Sequence, residues 1–264
     1  MRAAVCGVIT SAANPRIKWI RRLQEKRSER EDEGLFVIEG LRLAQEVISA
    51  RVPTRFVLHT EHLGARERSL INGLARLGAE VEEASQAALT AASSTETPPG
   101  LLAVVTRPEL PIPDPRTFVV VADRLADPGN LGSVLRSAWA AGVDTVFLTA
   151  GTVDAYNPKV VRGGMGAHFH VPIRQGDAED LTRTLEGLSI RVAEARGGER
   201  YDQVDWRSPV ALVVGGEAAG IAESWRRTAD GAVHIPMVDG AESLNAAVAC
   251  GILVFEIRRQ RGPK

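Results

Sequence analysis

An unbroken apolar run, Phe118-Val-Val-Val-Ala122, leads within a few residues into Asp127-Pro-Gly-Asn-Leu-Gly-Ser-Val-Leu-Arg-Ser-Ala138, and this pairing constrains the chain more than any other segment. A short β-branched run bounded by Pro115 and by Asp127-Pro-Gly reads as a buried strand. From Leu131 onward, positions 131, 134, 135, 138 and 142 share one face of a helix, so Arg136 must project elsewhere. A strand, a glycine-bearing turn and a helix therefore bring Asn130, Gly129, Gly132 and Arg136 together. Open α/β sheets bind ligands at the C-terminal ends of such strands.

The pattern on either side is β/α alternation. Ahead of Thr106, strands are expected at 35–38, 55–59, 80–83 and 101–105, with helices at 40–50, 61–77 and 86–92, a small α/β unit. Residues 106–117 then carry Pro108, Pro111, Pro113 and Pro115, too many for a regular element, and read as a stiff extended linker. Beyond it the alternation restarts. Strands are expected at 118–122, 143–148, 168–173, 190–194, 209–214 and 232–236, and helices at 131–141, near 158–162, 178–187, 221–227 and 243–259. The domains are accordingly set at 1–107, a linker at 108–116, and 117–264.

Composition excludes several classes. Cys6 and Cys250 are the only cysteines, too few for a disulfide scaffold or a four-cysteine zinc site, and they suit a reducing cytoplasm. The apolar run from Ala3 to Ile9 is too short to span a bilayer, and a weakly ordered start is expected. His168-Phe-His170 places two imidazoles on one side of the strand expected there, but no third ligand accompanies them, so no metal is expected. The dinucleotide fingerprint fails as well: neither Gly215-Gly-Glu-Ala-Ala-Gly220 nor Arg162-Gly-Gly-Met-Gly166 has its glycine spacing, and no Walker A lysine pair occurs.

Net charge is −1, yet residues 14–30 hold seven Lys/Arg against two Glu. Asn14 as N-cap and Pro15 as first helical residue open a helix here. Lys18, Arg22, Lys26 and Arg30 recur every four residues along it. That stripe fits phosphate tracking on a nucleic acid and fits an ordinary solvated face equally well.

Two further segments carry chemistry. Ala211-Leu-Val-Val-Gly-Gly-Glu217 is a buried strand ending in two glycines, which would let a ligand approach the backbone, and a carboxylate. Ile235-Pro-Met-Val-Asp-Gly-Ala-Glu-Ser-Leu-Asn245 is a strand exit and loop before a helix with apolar residues at 244, 247, 248, 252 and 255. Ser243 is placed as that helix's N-cap and Asn245 as an exposed first-turn residue.

Together the three segments resemble, in order and spacing, motifs one to three of the SpoU/TrmH family of SPOUT RNA ribose 2′-O-methyltransferases. The resemblance covers Thr117 to the end, and Asn14-Pro-Arg-Ile-Lys18 through Phe36-Val-Ile-Glu-Gly40 is similar to the RNA-binding extension many members carry. It implies an α/β fold: a C-terminal SPOUT domain with a trefoil knot, preceded by a small L30e-like α/β RNA-binding domain. It also implies S-adenosyl-L-methionine as cofactor, a homodimer with sites at the interface, and RNA as partner, with no membrane and no metal. Ribosomal RNA is the expected substrate; a tRNA 2′-O-methyltransferase or a catalytically silent RNA-binding paralogue is the alternative. Carried over by position, the catalytic set is Asn130, Arg136, Glu217, Ser243 and Asn245. The cofactor set is Thr149, Gly215, Gly216, Ile235, Met237 and Leu244, and RNA would meet Lys18, Arg22, Lys26 and Arg30. The family usually has Gly after Glu217, where this chain has Ala218.

Overall fold

A computed structural model describes residues 8–61, 63–216 and 220–262. Cys6, Glu217 and Ala218 lie outside the described residues, as does most of the apolar run at the start. The described residues up to Pro108, with Tyr156–Phe169, make one compact unit; Glu109–Ala155 and the described residues from His170 onward make a second.

In the first unit, α1 (Pro15–Glu25) starts as its sequence directs. The Asn14 side chain accepts the Arg16 N–H at 2.8 Å, Pro15 occupies the first turn, and Ile17, Ile20 and Leu23 are buried. The helix does not run on to Arg30. Lys26 is extended (φ −112°, ψ 122°), and α2 (Arg27–Glu33) begins after it, closed by Gly34 at φ 64°. Arg30 is only 3% exposed, and its Nη1 donates to the carbonyls of Leu23 (2.6 Å) and Gln24 (3.1 Å) at the end of α1. Terminal helix carbonyls have no partner within their own helix, and this guanidinium supplies one. The four-membered basic stripe is thus corrected: it is interrupted at Lys26, and Arg30 is a buried cap.

The remainder of this unit runs β1 (Leu35–Glu39), α3 (Leu41–Ser49), β2 (Thr54–His59), α4 (Ala65–Arg76), β3 (Glu80–Glu83), α5 (Gln86–Ala92) and β4 (Leu101–Thr106). Its sheet has the order β1-β4-β2-β3, with β4 antiparallel to β1 and β2, and β3 parallel to β2. Ile17, Ile20 and Leu23 of α1 pack with Phe56, Leu58, Leu89 and Leu102 to form a core.

The chain continues with β5 (Phe118–Asp123), α6 (Pro128–Ala141), β6 (Thr145–Leu148), α7 (Pro158–Gly164), β7 (Ile173–Gln175), α8 (Ala178–Thr184), β8 (Ser189–Ala193), β9 (Glu199–Arg200), β10 (Val210–Gly215), α9 (Glu223–Thr228), β11 (Gly231–His234) and α10 (Ala246–Arg261). Seven strands pair in the order β7-β6-β5-β10-β8-β11-β9, every pairing parallel, which makes the second unit the α/β sheet expected. β5 and β10 are central, and their ends lie level, Asp123 opposite Gly215. The proline-rich stretch forms no helix or strand. It is not free-standing, since Ile112 packs on the core of the second unit and Arg174 Nη2 donates to the Leu110 carbonyl at 2.5 Å.

Three expectations change. Residues 168–173 are not a strand: Ala167–Phe169 form a 3₁₀ turn and β7 starts at Ile173. His168 belongs to the first unit, in an aromatic cluster where Phe36 meets Tyr156 (5.0 Å between centroids) and Phe169 (5.9 Å), whereas His170 stacks on Trp139 in the second (4.2 Å, 2°). Gly142 is not on the apolar face of α6 but closes that helix at φ 77°. In α10 the buried residues are Ala246, Ala247, Cys250, Leu253, Val254 and Ile257, while Val248 and Phe255 are 52% and 49% exposed. A helix apolar all round has no single stripe for periodicity to find. Burial pushes the Cys250 thiol up to about 12.

Candidate active site

Asp123 ends β5, and the next residues turn into α6. The Asp127 carboxylate caps that helix by accepting the Asn130 N–H at 2.8 Å, with Pro128 at its first position. Asn130 therefore sits, half-buried, on the first turn. Arg136 lies on the exposed side of the same helix and makes no hydrogen bond or ion pair among the described residues. Its side chain is presented to solvent with its fork available.

The N-cap of α10 is Asn245, not Ser243. Asn245 Oδ1 accepts the N–H groups of Ala247 (2.9 Å) and Val248 (3.2 Å), and its Nδ2 donates to Asn130 Oδ1 at 2.9 Å. Asn and Ser cap comparably well, so propensity did not decide between them. The tie to Asn130 did, together with the packing of α10 along α6. Ser243 lies instead in the irregular segment before the helix, exposed and lining a cavity.

That cavity, of ≈ 190 Å³, opens beyond the C-terminal ends of β8, β10 and β11. Gly215, Gly216, Ile235, Met237 and Leu244 of the expected cofactor set line it, with Ser243. Thr149 does not. It is 3% exposed, and its hydroxyl donates to Asp123 Oδ1 at 2.8 Å and accepts the Arg124 N–H at 3.0 Å, which places it behind the loops rather than on the wall. Glu217 and Ala218, between Gly216 and Gly220 in sequence, are outside the described residues.

The two glycines line the cavity and have a second use as well. A Cβ on Gly215 would lie 2.5 Å from the Gly220 carbonyl carbon, and one on Gly216 would collide with the Arg124 carbonyl oxygen. The close approach is made by the protein's own backbone, which brings Gly216 and Gly220 together against the end of β5.

Asp123 organises this junction, and no motif in the sequence singled it out. Its carboxylate, 1% exposed, accepts from Thr149 Oγ1 and from the Ala222 N–H (2.7 Å) and lies 3.5 Å from Arg124 Nε. Its carbonyl accepts the Gly216 N–H at 3.0 Å. Arg124 adopts φ 53°, unusual for a residue with a side chain, and sends Nη2 to the Gly220 carbonyl at 3.2 Å. A buried acid at a strand end was the available signal, because a charge is buried only where it is paired and hydrogen-bonded.

Glu194 was also missed. It follows β8 and lines the cavity, and its carboxylate binds Arg226 Nε (2.7 Å) and Nη2 (3.4 Å). That carboxylate holds the Arg226 guanidinium above its ordinary range.

In the first unit, Lys18 and Lys26 are exposed, and Arg22 is exposed beside Glu29 at 3.3 Å. The acid of the Phe36-Val-Ile-Glu-Gly40 segment faces inward. Burial would raise the Glu39 carboxyl, but hydrogen bonds from Ser93, Ser94 and Gln24 overcome that and hold it below its usual range. Among the described residues no group of three or more His, Cys, Asp or Glu could hold a metal ion.

Comparison with known proteins agrees with this geometry. Residues 117–255 match the SpoU rRNA Methylase family, and residues 14–103 match the MRM3-like substrate binding domain. The chain is similar to 23S rRNA (guanosine(2553)-2′-O)-methyltransferase RlmP of Bacillus subtilis, at 33% identity over 95% of this chain and 98% of that protein. Among solved structures it is similar to an RNA 2′-O ribose methyltransferase at 34% identity, with a TM-score of 0.84, covering 97% of this chain and 99% of the other. It is also similar to the SpoU methyltransferase AviRb from Streptomyces viridochromogenes in complex with AdoMet, at 29% identity and TM-score 0.84, covering 94% and 99%. On the family match and on the near-complete overlap with its relatives, this chain belongs to the SpoU rRNA methylase family.

Proposed function

We propose that the protein is an RNA ribose 2′-O-methyltransferase that uses S-adenosyl-L-methionine and acts on ribosomal RNA. The observation that carries this is the Asn245–Asn130 hydrogen bond, which joins the first and third motifs next to residues lining the strand-end cavity. The cavity suits an adenosine-type sulfonium: its lining side chains are apolar apart from Glu194 and Ser243, and they stand at the C-terminal ends of parallel strands. Such a cofactor supplies an already activated methyl group.

The chain's own task is then alignment and stabilisation of the attacking oxygen. A guanidinium has no acceptor and does not deprotonate, so Arg136 acts as a bidentate clamp on the target phosphate and the developing oxyanion. Asn130, Ser243 and Asn245 position the ribose, and Glu217 orients Arg136. Gly215, Gly216, Ile235, Met237 and Leu244 hold the cofactor, with Thr149 acting from behind through Asp123. Lys18, Arg22 and Lys26 meet RNA phosphates.

The finer architecture follows the family. The C-terminal segments thread a trefoil knot, a reading supported by the return of β10 to the middle of the sheet between β5 and β8. The residues up to Arg107 form an L30e-like RNA-binding domain, and the SPOUT domain runs from Thr117 onward. Two chains form a homodimer, supported by the exposed Val248 and Phe255 on one side of α10, with the half-buried Ile252 between them. The setting is the cytoplasm, a reading supported by the likeness to the Bacillus subtilis 23S rRNA methyltransferase along nearly its whole length.

The test is ribose-methylation mapping of total RNA from a strain lacking the gene, repeated after adding back the purified enzyme and cofactor. Loss and restoration of one methylated ribose in ribosomal RNA is expected. A lost transfer-RNA site would redirect the substrate, and no lost site would sink the activity.

A further inference from the structure

The cavity beyond β8, β10 and β11 carries one ionisable side chain among its described lining residues, Glu194. Its placement is built rather than incidental. The Glu194 N–H donates to the Val233 carbonyl at 2.9 Å, which fixes its backbone beside β11. Its carboxylate is gripped from one side by Arg226, whose neighbour Trp225 is fully buried in the core and anchors α9. The pair is only partly exposed at the acid, 25% for the Glu194 side chain against 44% for Arg226.

An ionised carboxylate has about four acceptor positions, and a forked guanidinium occupies two. The others remain for a ligand. A cation would be a poor match for an acid already neutralised by arginine, whereas a pair of hydroxyls needs acceptors without needing net charge. Carboxylates at strand ends of α/β sheets take ribose hydroxyls for this reason.

We infer that Glu194, held in place by Arg226, accepts hydrogen bonds from the ribose hydroxyls of the adenosine-containing cofactor. This rests on the assignment of the cavity to S-adenosylmethionine. It adds the group that selects a ribonucleoside over a deoxyribonucleoside there. Arg226 is the positioning residue, acting through Glu194.

The experiment is calorimetric binding of S-adenosylhomocysteine, 5′-methylthioadenosine and the 2′-deoxy and 3′-deoxy forms of the latter to the full chain and to Glu194→Gln. The wild-type protein is expected to lose about 10- to 100-fold in affinity when a ribose hydroxyl is removed, the range for hydrogen bonds to a charged group. Glu194→Gln should bind the intact nucleosides more weakly by a similar factor and lose most of the discrimination against the deoxy forms. An equal deoxy penalty in both proteins overturns the inference while leaving the cofactor site intact. So does a variant that changes only the preference between S-adenosylmethionine and S-adenosylhomocysteine, because the carboxylate would then serve the cationic end. Absence of binding by the wild-type protein overturns the cofactor assignment itself. Should Glu194→Gln fail to fold, Arg226→Gln keeps the acid but frees it; its deoxy penalty should shrink, and a wild-type penalty there overturns the pairing.

Discussion

Asn245 Nδ2 donates to Asn130 Oδ1 at 2.9 Å, across 115 positions of sequence, while the same Asn245 side chain caps α10 through its oxygen. One amide thus closes the start of α10 and locks it to the start of α6. Serine can replace the cap but cannot span to Asn130. Asn245→Ser should therefore keep the cap but lose the hydrogen bond to Asn130, about 0.5–1.5 kcal/mol of stability, while methylation slows markedly. Equal rates for variant and wild type would show that the link between the two helices has no part in the reaction.

Arg136 stands exposed with no ion partner among the described residues, so its removal costs the fold little. Arg136→Ala should lower the methylation rate by about 10²–10³, the usual loss for one electrostatic stabiliser, with cofactor affinity unchanged. Arg136→Lys should remain strongly impaired, because lysine keeps the charge without the fork. A lysine variant near wild type would rule out the bidentate clamp.

The basic segment separates into two kinds of residue. Changing Lys18 and Lys26 to Gln should weaken RNA binding and flatten its salt dependence by roughly one unit of slope per lost contact, with no effect on melting. Arg30→Gln should do the reverse. It strips the Leu23 and Gln24 carbonyls of a charged donor, a loss of about 1–3 kcal/mol, and leaves the salt slope alone.

Glu39 ties the ends of α1 and β1 to residues 93–95. Its folded pKa is lowered from 4.5, so the stability it contributes is present above the unfolded value and is lost as pH falls through the folded one. Acid unfolding of the full chain, followed by circular dichroism below pH 4.5, should be steeper than that of Glu39→Gln. Parallel curves for the two proteins would place the acid-labile group elsewhere.

Phe255 and Val248 present apolar surface on one side of α10. Phe255→Glu should convert a dimer to monomers in sedimentation equilibrium and lower activity with it, since a charge buried at an interface without a partner is costly. A variant that sediments as the wild type does would move the dimer contact off this helix.

Residues close together in the chain made much of this protein legible. The run 118–122 and the Asp-Pro-Gly-Asn turn specify β5 and the cap of α6, because an apolar run, a proline at the first helical position and an aspartate before it act within one or two turns. Asn14-Pro15 does the same for α1. What tertiary structure decided depends on partners distant in sequence. Arg30 looked like one of four evenly spaced cations until the chain broke at Lys26 and buried it against the end of α1. Asn245 and Ser243 were interchangeable as caps until Asn130 arrived beside one of them. Gly215 and Gly216 read as room for a ligand and do line the cavity, but what excludes a side chain there is the backbone of Gly220 and Arg124. Local propensity differs by tenths of a kcal/mol among such choices, whereas a buried charge or an unpaired amide is worth several times more, so the folded environment settles them.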